Sequence, residues 1–291
     1  MKSINIIIAV LFVLGLNSCQ DKLKVYNKDL ASNDGVTFIR REKSKIAGYE
    51  FRSTKKWLKN FNNDSEKLRV VLAINRVDEA NITKLDSILV PKQLNLRIEE
   101  YMPFPLQVQV LKEVDKFLIF SYPTQTFAAY ENGMLVYAGP TNMGRKSNPT
   151  PTGLFFTNWK AEKTTSTFND EWDLKWNFNV ENKLGVGFHE YQLSGYPASH
   201  SCMRLNEADA KYLFSWAEQW ILEDEQTVRV KGTPVLIYGK YDFDGTKPWY
   251  TLIQNPQALE ISEEALTRLI KPHLVEVLSE QKNRETMKLQ S

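Results

Sequence analysis

Cys202 sits in the run Ser199-His200-Ser201-Cys202-Met203-Arg204, and His189 lies thirteen residues before it. The 291-residue chain holds only three histidines and two cysteines, so two histidines this close to one thiol carry chemical meaning. A thiol near its reference pKa of about 8.5 is only a few per cent thiolate at neutral pH, and an adjacent base or cation is what makes it a nucleophile. An imidazole supplies either. His189, His200 and Cys202 would offer a metal three ligands, but neither a fourth nor an orienting shell is visible, so we read neither metal nor cofactor here. His273, beside Pro272, reads as structural or solvated.

These residues need strands to hold them. Val186-Gly187-Phe188 is strand-like and delivers His189 at its end. Upstream, Phe117–Tyr122 and Thr126–Tyr130 are aromatic-rich and strand-like, and Glu131-Asn132-Gly133 turns into Met134–Ala138, a hairpin signal. Trp172, Leu174, Trp176, Phe178 and Val180 alternate with Asp173, Lys175, Asn177 and Asn179, which predicts a strand with one face buried and one wet. After the thiol, Asn206 is placed to cap a helix whose stripe is Ala210, Leu213, Phe214, Ala217, Trp220 and Ile221. Val228–Val230 and Val235–Tyr238 return to strand around Gly232-Thr233-Pro234. Many strands with one late helix make a mainly β domain.

The flanks differ in character. From Asn27 to about Phe104 the pattern is that of a small α+β region, with Ser53 placed to cap a helix through Phe61 and Ser65 preceding the helically spaced Leu68, Val71 and Leu72. Pro103 and Pro105 mark a link. The tail from Ile261 to Met287 has helical spacing broken at Pro272, and its Leu266, Leu269, Ile270, Leu274, Val277 and Leu278 read as packing residues. At the start, Lys2 precedes an apolar run from Ile4 to Leu16, too short to span a bilayer comfortably, which reads as an export signal. Leu16-Asn17-Ser18-Cys19 resembles a bacterial lipobox, implying lipidation at Cys19 and an anchored chain facing the periplasm. With Cys19 acylated, Cys202 has no disulfide partner, and an unpaired exported thiol calls for a reason.

Composition narrows the classes further. Hydrophobic residues make up 42% of the chain, enough for a core, which excludes a disordered tail. Dispersed charges, 37 basic against 35 acidic, leave no footprint for a polyanion, so we expect no nucleic-acid partner.

The motifs together resemble the L,D-transpeptidase catalytic domain, or YkuD family, whose signature is a strand histidine, a loop, then Ser-His-Gly-Cys followed by an apolar residue and Arg or Asn. Gly144-Arg145 before Thr150-Pro151-Thr152-Gly153-Leu154-Phe155, and Gly232-Thr233-Pro234-Val235 downstream, agree in order. The likeness spans about Lys116 to Tyr238. It implies a YkuD-like β-sandwich with one principal helix, giving an expected layout of signal 1–18, α+β region 19–105, catalytic domain 106–240 and helical extension 241–291. It also implies Cys202 as nucleophile and His189 as base oriented by a backbone carbonyl. His200 and Ser199 would shape the loop, Arg204 and Tyr196 would meet substrate with Tyr191 at the entrance, and the Ser201 and Cys202 amides would form the oxyanion hole. Two departures stand out: Phe188-His189-Glu190 replaces the commoner Ile-His-Gly, and Ser201 replaces a glycine, which costs about 1 kcal/mol or more if that position needs a positive φ. The implied reaction is acyl transfer from peptidoglycan tetrapeptide stems, making 3→3 cross-links, or L,D-carboxypeptidase action if water resolves the thioester. The rivals are an inactive wall-binding lipoprotein and an exported cysteine peptidase. Val71–Arg76 followed by Leu85–Pro91 is similar to the second half of a degenerate LysM repeat.

Overall fold

The computed structural model describes residues 41–165 and 173–290. The expected signal 1–18, the lipobox Cys19 and Trp172 lie outside the described residues. No helix among the described residues is long and apolar enough to cross a membrane.

The chain starts with a small α+β layer. Strand β1 (Tyr49–Ser53) pairs antiparallel with β2 (Ser87–Pro91). Between them run α1 (Thr54–Asn60), α2 (Ser65–Asn75) and α3 (Glu79–Ile82). The expected cap on α1 is not made, since Ser53 offers no side-chain bond. On α2, which begins at Ser65, the cap is Asp64: its carboxylate accepts from the Lys67 amide at 3.1 Å. At the far end Asn75 donates to the Val71 and Leu89 carbonyls, both at 2.8 Å, and accepts from the Leu89 amide, tying the helix end to β2.

Arg76 then terminates α2 in the left-handed region at φ 59°. Its side chain is 1% exposed and lies over the Trp249 ring at 5.2 Å. Three carbonyls hold it: Thr124 at 2.9 Å, Ala73 at 2.7 Å and Ile74 at 2.8 Å. Burial pulls its guanidinium down to about 9, opposed by the nearby phenols of Tyr49 and Tyr241.

The central layer is a five-stranded sheet in the order β5 (Met134–Pro140), β4 (Thr126–Glu131), β3 (Phe117–Ser121), β11 (Pro234–Tyr238), β6 (Gly153–Phe156). Beside it stands a four-stranded sheet in the order β10 (Met203–Leu205), β9 (Val186–Glu190), β8 (Asp173–Glu181), β7 (Lys160–Thr165). Leu118, Phe120, Phe127, Val235 and Ile237 of the first meet Phe178, Val186, Phe188, Met203 and Leu205 of the second in one core. The sandwich part of the expectation holds for this region, but β3 is buried along its whole length. Phe117, Ile119, Tyr130 and Leu236 point the other way, into a second core with Ile74 of α2, Trp249, and Leu266, Ile270 and Val277 of the tail. The chain as a whole is therefore mixed α and β rather than mainly β.

Helix α5 (Glu207–Trp216), following a short α4 (Ile98–Tyr101), is capped by Asn206, whose oxygen accepts from the Asp209 amide at 3.0 Å. It stops at Trp216, so Trp220 and Ile221 fall outside the expected stripe. Ammonium groups meet its last carbonyls: Lys160 on Phe214 at 2.6 Å and Lys116 on Trp216 at 2.7 Å, as the negative helix end favours. The tail forms α6 (Glu263–Ile270), a 3₁₀ turn at Lys271–His273 where Pro272 interrupts, and α7 (Leu274–Gln290).

Removing the Arg76 side chain orphans three buried carbonyls. Arg76→Ala is expected to lower the unfolding free energy by about 3 kcal/mol in urea denaturation, and a loss under about 1 kcal/mol would show that the guanidinium is not holding the layers together.

Candidate active site

Strand pairing assembles the site. Parallel β9 and β10 set Met203 against Phe188 and Arg204 against His189. Phe188, Met203 and Leu205 are buried in the core, so the alternation of the strands turns His189 and Arg204 to the other face. Extending the register by one residue sets Cys202 beside Gly187, on the same face as Arg204. Diagonal neighbours of this kind are about 7–8 Å apart at Cα, within reach of an imidazole. A Cβ on Gly187 would sit 2.5 Å from the Phe178 carbonyl, so the strand needs glycine there.

His189, Cys202, Ser199, His200, Arg204 and Tyr191 line one cavity of about 330 Å³. His189 is 4% exposed. Its Nδ1 lies 2.8 Å from the Glu190 carbonyl, an oxygen that can only accept, so Nδ1 carries the proton and Nε2 keeps its lone pair. Burial, aided by the Arg204 charge, pulls this imidazole down to about 4. The Cys202 thiol donates to the Gly185 carbonyl at 3.6 Å. Burial pushes it up, while the Gly187 amide and Arg204 draw it partly back. At neutral pH the resting groups are a neutral thiol and a neutral imidazole.

The loop carrying the thiol is fastened to the Gly144 segment. The Ser199 amide donates to Met143 at 3.1 Å and its carbonyl accepts from Arg145 at 3.0 Å, while its hydroxyl donates to the Cys202 carbonyl at 2.5 Å. Tyr122 donates to the Gly144 carbonyl at 2.5 Å. Gly144 cannot be replaced there, because a Cβ would sit 2.3 Å from the Asn148 carbonyl. Ser201 has φ 89° and its hydroxyl donates to Asn148 at 3.3 Å, so serine holds the conformation that glycine would adopt freely. His200 accepts at Nε2 from Arg145 at 2.6 Å, which occupies that lone pair. Burial and the Arg145 and Arg204 charges lower its pKa.

Arg204 stacks on the Tyr191 ring at 4.3 Å, and no carboxylate pairs with it among the described residues. Tyr196 is 52% exposed and stands outside the cavity lining.

Several contributors escaped the sequence reading. Asn142 is fully buried and its oxygen accepts from the Ser194 amide at 2.5 Å and the Gly195 amide at 3.2 Å, fixing the loop between His189 and Cys202. Trp159, Trp220, Asn177, Asn179 and Asn182 form the far wall of the cavity. The expected wet face of β8 is thus divided: Asp173 and Lys175 are exposed, while Asn177 and Asn179, 4% and 5% exposed, are cavity wall. A bulge between Lys175 and Phe178 also shifts the alternation, sending Leu174 to the cavity face instead of the core. Of the sequence, only the Asn-rich period-two run hinted at this wall.

Residues 115–237 match the family of L,D-transpeptidase catalytic domains called YkuD. No curated protein matches the chain. Among solved structures it is similar to an L,D-transpeptidase from Stackebrandtia nassauensis, at 21% identity over 45% of this chain and 58% of that one, with TM-score 0.36. It is also similar to an L,D-transpeptidase from Mycobacterium smegmatis, at 17% identity over 43% and 59%, with TM-score 0.34. A third, from Mycobacterium tuberculosis, shares 18% identity over 43% and 58%, with TM-score 0.35. The chain spans less than two thirds of the length of each.

Replacing Ser201 by glycine removes the positive-φ strain at the loss of one long hydrogen bond, so Ser201→Gly is expected to raise the melting free energy by roughly 0.5–1 kcal/mol, read by chemical denaturation. A second expectation concerns acid. His189 titrates near 6.5 when unfolded and about 4 when folded, so the unfolded chain takes up the proton first and stability falls as pH drops from about 6.5 to about 4. Asp209, buried and raised to about 6, acts with the opposite sign in the same range. The difference between wild type and His189→Gln, measured from pH 7 to 4, isolates the histidine: the variant should lose less stability on acidification, by up to about 3 kcal/mol.

Proposed function

We propose that this chain, whose residues 115–237 are an L,D-transpeptidase catalytic domain of the YkuD family, transfers acyl groups from peptidoglycan tetrapeptide stems through a thioester on Cys202. The observation that carries this is the cavity shared by a half-buried thiol and an imidazole whose Nδ1 proton is held by a carbonyl, leaving Nε2 as the acceptor.

Neutral thiol and neutral imidazole suit general-base attack. Nε2 takes the thiol proton as sulfur bonds to the carbonyl carbon of the third stem residue. The tetrahedral oxyanion is met by the Ser201 and Cys202 amides, which donate to no other group among the described residues. Collapse breaks the C–N bond, and the imidazolium returns its proton to the departing D-alanine amine. An incoming amine then attacks the thioester, gives its proton to Nε2, and releases the thiol. A diaminopimelate side-chain amine yields a 3→3 cross-link; water yields a tripeptide. Lipidation of Cys19 would tether this chemistry to a membrane facing the periplasmic wall, and the β1–β2 unit with its helices is a candidate wall-binding part.

Mass spectrometry of the purified protein with tetrapeptide muropeptides tests the reading. We expect loss of the terminal alanine, an acyl adduct on Cys202, and a carbapenem adduct at the same sulfur, all absent in Cys202→Ala. His189→Ala should slow acylation by about 10²–10⁴-fold. A thiol inert to both reagents in a protein that still binds cell wall would instead favour a non-catalytic wall-binding role.

A further inference from the structure

Three asparagines line the cavity, and two of them are used by the protein. Asn179 accepts from Asn158 at 2.9 Å and donates to the Glu181 carbonyl at 3.2 Å; Asn182 accepts from the Trp159 indole at 3.1 Å. Asn177 differs: it is 4% exposed and lines the cavity, yet its carboxamide has no hydrogen-bond partner among the described residues. Its polar atoms face the open cavity rather than closed protein, so they meet water there until a ligand offering a hydrogen bond replaces it.

Its direction is set by the bulge in β8. Lys175 pairs with Glu190 and Phe178 with Phe188, so Trp176 and Asn177 together oppose His189. Trp176, at φ 52°, packs toward α5 with its ring 5.4 Å from Phe214, leaving Asn177 to the cavity. Arg204 pairs with His189 from the other side. Asn177, His189 and Arg204 therefore form a row across three strands. Strands lie about 4.8 Å apart, so the row's ends are about 10 Å apart, the reach of about three extended peptide residues. Among the described residues, Arg204 is the sole guanidinium of the lining and no carboxylate lines it.

We infer that Asn177 is a substrate-binding, specificity-determining residue: its carboxamide hydrogen-bonds a main-chain amide of an anionic peptide whose carboxylate is held at Arg204, with the reacting carbonyl over His189 and Cys202. This rests on the acyl-transfer reading above. It places the leaving residue's carboxylate on one side of the scissile bond and the amide of the preceding residue on the other. It also explains a bulge that would otherwise only weaken the ladder beside His189.

The test compares wild type, Asn177→Ala and the near-isosteric Asn177→Leu in two assays: acyl transfer from a tetrapeptide stem, and alkylation of Cys202 by iodoacetamide, which needs the thiol and the imidazole but no peptide. Both variants should lose about tenfold in kcat/KM toward the stem, chiefly in KM, while alkylation stays within about twofold. Should the alanine variant fold poorly, the leucine variant, with its fuller side chain, decides. Unchanged stem kinetics overturn the inference. A matching fall in alkylation overturns it too, by making Asn177 a support for the thiol and imidazole rather than a contact to peptide. A wild-type protein that is alkylated normally yet ignores the stem overturns the acyl-transfer reading itself, and the role of Asn177 falls with it.

Discussion

The parallel pairing of β9 with β10 is the constraint on which the site depends. It is only three residues long, and it brings a histidine and a segment thirteen residues downstream onto one surface. What keeps so short a ladder in register is its other face. Phe188, Met203 and Leu205 are wholly buried among the aromatic residues of the sandwich, and a slip of one residue would exchange them with His189 and Arg204. The hydrophobic core thus sets the position of the polar groups, and the loop between the strands is held separately by Asn142 and by the Gly144 segment.

Burial also shapes the electrostatics. The same desolvation that lowers the His189 imidazole raises the Cys202 thiol, so both forces favour the uncharged pair. Arg204 acts against this at the sulfur and with it at the imidazole.

Much of this was legible in the sequence, and what was not has a common cause. Strands over Phe117–Ser121 and Thr126–Glu131 and the Asn206 cap follow from local pattern and are found where that pattern predicts them. The positive φ at Ser201 was foreseeable from its mismatch with a glycine position in a related motif. Asn142, Arg76 and Asn177 were not. Each works through partners 48 to 66 residues away or through a bulge whose single extra residue leaves no mark in composition. Tyr196, in the loop between His189 and Cys202, is half exposed, which the sequence pattern alone did not say. The two-sided burial of β3 was missed because an unbroken apolar run does not say what will cover each side.

That double coverage bears on how the protein can be handled. The five-stranded sheet, which packs against the sheet that bears the thiol, is roofed on its other side by α2, by Trp249 and by the C-terminal helices, and Arg76 bolts the first two together. A fragment trimmed to the region of the catalytic motifs would present Phe117, Ile119, Tyr130 and Leu236 as a bare greasy plane to water. Such a fragment would be expected to clump during expression even with the thiol and imidazole intact, and the apparently dispensable flanks are, in material terms, the lining that keeps the protein dissolved.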